Sequence, residues 1–179
     1  MSKSIVVFCG SSLGVQDAYA QQAKELGHAL AARDITLVYG GGAAGLMGIV
    51  ANAALEKGGK VIGVIPEFLN TKERRHDNLT QLVEVQTMHQ RKTILYELAD
   101  AAISLPGGYG TLDEFFEIIT WNQLTLHTKT LGLLNVNGFY DHLYKHLEHV
   151  TREGFSSQPQ LDALHIDSNA GKLLEKMLK

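Results

Sequence analysis

"ITLVYGGGAAGLMG", residues 35–48, decides the fold. The run Ile35 to Tyr39 lacks the polar alternation of a half-exposed strand, and a glycine-rich turn then delivers the chain into a helical pattern, Ala43 to Lys57. A continuous apolar strand that feeds a helix is the βα unit of a parallel sheet covered on both faces. The rhythm recurs in both directions. Upstream, Ser4 to Cys9 reads as a strand and Asp17 to Arg33 as a helix, with apolar residues at Ala23, Leu26 and Leu30. Downstream, strands are expected at Lys60 to Ile65, Leu82 to Gln86, Ala101 to Leu105 and Leu131 to Val136. Helices are expected at Met88 to Leu98, Leu112 to Leu126 and Tyr140 to Arg152. A strand-like piece, Ala163 to Ile166, precedes a short last helix with Ser168 as its expected cap. The pattern predicts an α/β fold: a doubly wound, mainly parallel sheet with helices on both faces, formed by residues 1–179 as a single domain.

Composition narrows the function. With 45 % hydrophobic and 20 % charged residues, the 179-residue chain has ordinary globular usage. Sixteen basic residues against nineteen acidic ones give a net charge of -3 with no basic block, so no nucleic-acid partner is expected. The single Cys9 cannot form an internal disulfide and is expected to be a small buried hydrophobe. The N-terminus lacks a signal-peptide pattern, and no apolar stretch approaches the roughly 18 residues of a membrane span. A cytoplasmic protein with no membrane partner is expected.

Doubly wound sheets bind ligands beyond the carboxyl ends of their strands. Four loops converge on that rim: Cys9 to Ser12, Gly40 to Gly48, Pro66 to Phe68 and Pro106 to Thr111. Each is also an ordinary βα turn, where glycine is common for backbone reasons, so their convergence is the stronger signal. Gly40, Gly42 and Gly45 satisfy G-x-G-x-x-G, and Glu67 lies 22 residues beyond Gly45, where a ribose-binding acid of a nicotinamide enzyme would sit. Against that assignment, the motif follows the second strand rather than the first, and Pro66 stiffens the approach to Glu67. No G-x-x-x-x-G-K-[ST] occurs.

"LPGGYGTLDE", residues 105–114, admits two assignments. Thr111 with Glu114 has the spacing of a capping box. Alternatively, Gly107, Gly108 and Gly110 let the backbone approach an anion at the helix N-terminus, with Glu114 facing another part of the ligand. Spacing alone leaves both open. In "TMHQRK", Thr87 with Gln90 makes a second capping box and places Arg91 and Lys92 near a helix N-terminus, where cations oppose the dipole. Such a breach of a local rule points to function. His142, His146 and His149 share one predicted helix face but lack H-E-x-x-H, so no metal site is expected. Ile118, Ile119, Trp121 and Leu124 read as core or subunit interface.

"PGGYGTLDE", "MHQRK" and "VYGGGAAGLMG", in this order and spacing, resemble the LONELY GUY family, whose signature is P-G-G-x-G-T-x-x-E with an upstream R-K pair. The likeness runs from about Ile5 to Phe155 and includes "ITWNQL" and "GLLNVNGFYD". It implies a Rossmann-like, cofactor-free homodimer that hydrolyses the N-glycosidic bond of AMP or cytokinin riboside 5′-monophosphates to free base and ribose 5-phosphate. Relatives have been labelled lysine decarboxylases, yet this sequence offers no pyridoxal-phosphate lysine motif. The resemblance makes Arg91 and Glu114 essential. It assigns nucleotide contacts to Glu73, Arg91, Lys92, Gly107, Gly108, Tyr109, Gly110, Thr111, Leu112, Asp113 and Thr120. The other loops on the rim add Gly10, Ser11, Gly41 and Gly42 as candidate contacts. Asp113 departs from the glutamate of many relatives. The alternatives are a non-catalytic carrier of a nucleotide or molybdenum cofactor, and an NAD(P)-binding oxidoreductase.

Overall fold

Seven parallel strands form one sheet in the order β4-β3-β2-β1-β5-β6-β7 in the computed structural model, which describes residues 3–72 and 74–179. The first half runs β1 (Ser4–Phe8), α1 (Asp17–Ala31), β2 (Thr36–Tyr39), α2 (Gly45–Glu56), β3 (Val61–Pro66), β4 (Gln81–Val85) and α3 (Met88–Glu97). The second runs β5 (Ala101–Ser104), α4 (Tyr109–Gln123), β6 (Thr130–Leu134), α5 (Asp141–Arg152), α6 (Gln158–Asp162), β7 (Leu164–Asp167) and α7 (Ala170–Met177). The strand order reverses at β1, which lies between β2 and β5. That is the switch point at which such sheets open a crevice.

Burial explains the unbroken apolar strands. Val6, paired with Val38 and Ala102, joins Phe8, Val64, Leu95, Tyr96 and Ile118 in the core between the sheet and α3 and α4. Its neighbours Ile5 and Val7 pack on the opposite face with Leu26, Leu30, Leu37 and Val50 beneath α1 and α2. Both faces of the central strands are therefore removed from water, and alternation is absent because no strand face there meets solvent. Trp121 is half-buried at the edge of this core, its ring 4.7 Å from that of Tyr96.

Local chemistry departs from the expectations at three helix starts. α4 begins at Tyr109 rather than Leu112, with Gly108 as its cap. The last helix is capped by Asn169, whose side chain accepts from the Lys172 N–H at 3.0 Å, and not by Ser168. The short α6, unforeseen because five residues carry no readable periodicity, starts with a Ser157–Gln160 capping box. His142, His146 and His149 occupy exposed positions on α5, where His149 meets Arg152 and Glu153. Among the described residues, no three His, Cys, Asp or Glu side chains converge as a metal site. No helix of the described residues is long and apolar enough to cross a membrane.

Candidate active site

The loop after β1 is stitched to both of its neighbours. The Gly10 N–H donates to the Pro106 carbonyl at 3.1 Å, and the Gly10 carbonyl accepts from the Leu46 N–H at 3.1 Å. Gly45 opens α2 at φ +60 against the Ser11 backbone, where a Cβ would collide with main-chain atoms. The last glycine of the G-x-G-x-x-G run is thus required for helix-to-loop packing. Glu67 is exposed in a one-turn 3-10 helix after β3 and is outside the cavity lining, which removes the ribose-binding acid of the dinucleotide assignment.

Around this seam lies a cavity of about 620 Å³, within the range of small-molecule sites. Gly10, Ser11, Gly40, Gly42, Arg91, Gly108, Tyr109, Gly110, Thr111 and Glu114 all line it. The start of α4 forms one wall. No side chain caps this helix, and Thr111 is buried within the first turn at 4 % exposure. The capping box that the Thr111–Glu114 spacing allows does not form, because the helix begins three residues earlier, at Tyr109, and Thr111 lies inside its first turn. Helix geometry leaves the first-turn N–H groups without intrahelical partners, which favours an anion there.

The Thr87–Gln90 capping box is present and starts α3 as expected. One turn on, Arg91 reaches back over the sheet. Its Nε donates to the Val64 carbonyl at 3.1 Å and Nη2 to the Gly40 carbonyl at 3.3 Å, while Nη1 lies 3.8 Å from Glu114 Oε1. A Cβ on Gly40 would collide with this guanidinium, which explains a glycine there without any phosphate. The two side chains are only 12 % and 13 % exposed. Burial pushes the Glu114 carboxyl up to about 7, against the downward pull of the Arg91 guanidinium and with a further push from Asp113. Cys9 borders the same cavity, but burial and then the Glu114 charge raise its thiol far above neutral pH, so it stays protonated.

Other expected contacts sit elsewhere. Lys92 bridges helices, its Nζ 3.2 Å from Asp113 Oδ2 and 3.1 Å from Glu117 Oε1. Lys92, Gly41, Gly107, Leu112 and Asp113 are outside the cavity lining, although Gly41 and Gly107 shape the turns beside it. Glu73 lies outside the described residues. Thr120 donates to the Phe116 carbonyl at 2.7 Å and lines a different groove, also of about 620 Å³, with Phe116, Ile119, Leu147, Val150 and Phe155. That groove is lined mainly by apolar surface and contains no paired acid and arginine.

Sequence reasoning missed Met47, Ile65, Leu69 and Arg74, which also line the cavity. Apolar residues beside a turn give no distinguishing signal, and Arg74 belongs to a charged loop. That loop is tied to the glycine turn: Ala43 N–H donates to the Arg74 carbonyl at 2.9 Å, and His76 N–H to the Gly41 carbonyl at 3.0 Å. His76 is buried beneath it with a ring nitrogen 2.9 Å from Asn52 Oδ1, and burial holds its pKa below the ordinary imidazole range.

Residues 47–177 match a family model described as possible lysine decarboxylase. The chain is 46 % identical over 173 residues to cytokinin riboside 5′-monophosphate phosphoribohydrolase LOG2 of Arabidopsis thaliana, covering 97 % of this chain and 81 % of that protein. It is 51 % identical over 154 residues to the cytokinin riboside 5′-monophosphate phosphoribohydrolase of Rhodococcoides fascians, covering 86 % and 78 %. Among solved structures, the molybdenum cofactor binding protein of Rippkaea orientalis superposes with a TM-score of 0.75 at 20 % identity, over 100 % of this chain and 99 % of that one. At that identity the likeness is one of fold.

Proposed function

We propose that this chain, which belongs to the LOG-type phosphoribohydrolase family, hydrolyses the N-glycosidic bond of adenine-type nucleoside 5′-monophosphates. The products are the free base and ribose 5-phosphate. The observation that carries this proposal is the Arg91–Glu114 pair, nearly buried in one cavity with the uncapped start of α4.

Each part has a task. The N–H groups of the first turn of α4 hold the 5′-phosphate, a remote anchor whose binding energy positions the sugar. The ribose then lies beside Glu114. As the C1′–N9 bond lengthens, positive charge develops on the sugar, as in other glycosidic cleavages, and the carboxylate stabilises it. Glu114 also accepts a proton from the attacking water, a task suited to a group titrating near neutral pH. Arg91, fixed by two main-chain carbonyls, holds the carboxylate in place and offsets its charge. The scheme uses no cofactor and no metal.

The working unit is a homodimer formed by residues 1–179 as one domain, and it acts in the cytoplasm. Exposed Phe116, Leu124, Leu126 and Phe155 favour the dimer, since apolar side chains left in water gain by association. Thr120 lines the apolar groove and not the cavity of its own chain, so its contact with nucleotide is to substrate held by the partner. The carrier alternative draws only on fold likeness to a molybdenum cofactor binding protein; it gives the Arg91–Glu114 pair no task.

A panel of nucleoside monophosphates and nucleosides, with base and ribose 5-phosphate followed by chromatography, tests the proposal. AMP and its N6-prenyl derivative should release base in step with ribose 5-phosphate, and adenosine hardly at all. Equal turnover of adenosine and AMP would overturn the phosphate anchor, and absence of base from every nucleotide would overturn the activity.

A further inference from the structure

We propose that Arg74 meets the departing base and stabilises the negative charge that collects on it as the C1′–N9 bond breaks. This rests on the phosphoribohydrolase function above, which gives Arg74 no task.

The fold fixes the backbone of this residue at the cavity. The segment around it is held against the Gly40–Ala43 turn by two main-chain hydrogen bonds, by a bridge pairing Gly42 with Arg75, and by buried His76. Its basic neighbours have other positions: Lys72 is exposed outside the cavity, and Arg75 donates to Asp77 at 2.9 Å. Arg74 is the one basic residue of the segment that lines the cavity, and it has no ion-pair partner among the described residues.

The other nearby cations are already engaged. Arg91 is shared among two carbonyls and Glu114, and Lys92 lies between Asp113 and Glu117. Position assigns the remaining charge. The α4 wall follows β5, whereas Arg74, in the connection from β3 to β4, is hydrogen-bonded through its carbonyl to the turn after β2, two strands away. Two strand spacings are roughly 10 Å. A nucleotide anchored by its phosphate at α4, with its sugar at the Arg91–Glu114 pair, extends its base toward Met47, Ile65 and Leu69 and the guanidinium of Arg74. A planar guanidinium can stack on a purine face or donate to its ring nitrogens, and it remains charged throughout.

The step balances as follows. The C1′–N9 bond breaks with its electron pair going to the base, the water oxygen bonds to C1′, one water proton passes to Glu114, and the base takes a proton from solvent. A fixed cation beside the leaving group lowers the barrier in the manner of other preorganised charges.

The test compares wild type, Arg74→Gln and Arg74→Lys on purine 5′-monophosphates graded in the acidity of their free bases, with 7-methylguanosine 5′-monophosphate at the end where the base departs neutral. Arg74 is exposed, so melting temperatures should be unchanged. Arg74→Gln should lower kcat on AMP by about a hundredfold with KM little altered. The deficit should shrink steadily as the base becomes a better leaving group, and Arg74→Lys should recover part of the rate. Equal losses on every substrate, a change in KM alone, or an unaltered variant beside an active wild type would each overturn the role of Arg74. Wild type inactive on every nucleotide would overturn the hydrolytic function itself, and this role with it.

Discussion

Glu114→Gln should make the protein more stable and nearly inactive at once. In the folded chain, burial raises the Glu114 carboxyl from 4.5 to about 7, a displacement equivalent to about 3 kcal/mol. Below pH 4.5 the acid is protonated in folded and unfolded chains alike, and burial exacts no electrostatic penalty. Between 4.5 and about 7 the unfolded chain loses its proton first, so stability falls as pH rises, and the whole penalty is present above that window. Glutamine is neutral at every pH and of nearly the same shape. The variant should therefore match wild type in thermal melts near pH 4.5 and exceed it by several degrees at pH 8, at about 2 to 4 °C per kcal/mol for a chain of this size. Base release from AMP should fall on the order of a hundredfold or more, while AMP binding persists through the α4 wall. A wild-type rate would show that the catalytic group lies elsewhere. A lower melting temperature at pH 8, or a gain independent of pH, would refute the buried-charge origin of the effect.

Three further outcomes follow from the same geometry. Because the carboxylate must be ionised to accept a proton, log kcat/KM in wild type should fall with unit slope below about pH 7 and level off above it, a profile that stopped-flow or chromatographic assays can record. Gly40→Ala should reproduce an Arg91→Gln defect of about a hundredfold, since the new Cβ displaces the guanidinium; an active Gly40→Ala enzyme would show that Arg91 needs no fixed seat. Light scattering should report twice the chain mass, and Phe155→Asp should shift the protein toward monomer, whereas a dimer indifferent to that change would place the interface away from the apolar groove.

What was legible in the sequence follows from the range of the interactions involved. Val6, Leu37 and Ile103 are apolar because both sheet faces are covered, and that burial shows as unbroken runs. The Thr87 cap was legible because donor and acceptor are three residues apart. Arg91 was flagged as a cation at the wrong end of a helix, and its contacts resolve the breach: the guanidinium leaves α3 for carbonyls at the ends of β2 and β3. The sequence places the start of α4 too late because Thr is a common cap and Leu112 is the first strongly apolar residue, whereas the helix starts at Tyr109 with no side-chain cap at all. Arg74 was invisible for a different reason. Its placement comes from main-chain bonds to a turn more than thirty residues away, and main-chain bonds leave no trace in side-chain pattern.

The seat of Arg91 is made of peptide carbonyls, which no point substitution removes. The cavity therefore has two halves with different evolutionary fates. Chemistry rests on the backbone of β2 and β3 and on Arg74, whereas the apolar wall of Met47 and Leu69 is side chain alone. Descendants of such a protein can exchange that wall one residue at a time and drift from one base to another without passing through an inactive ancestor.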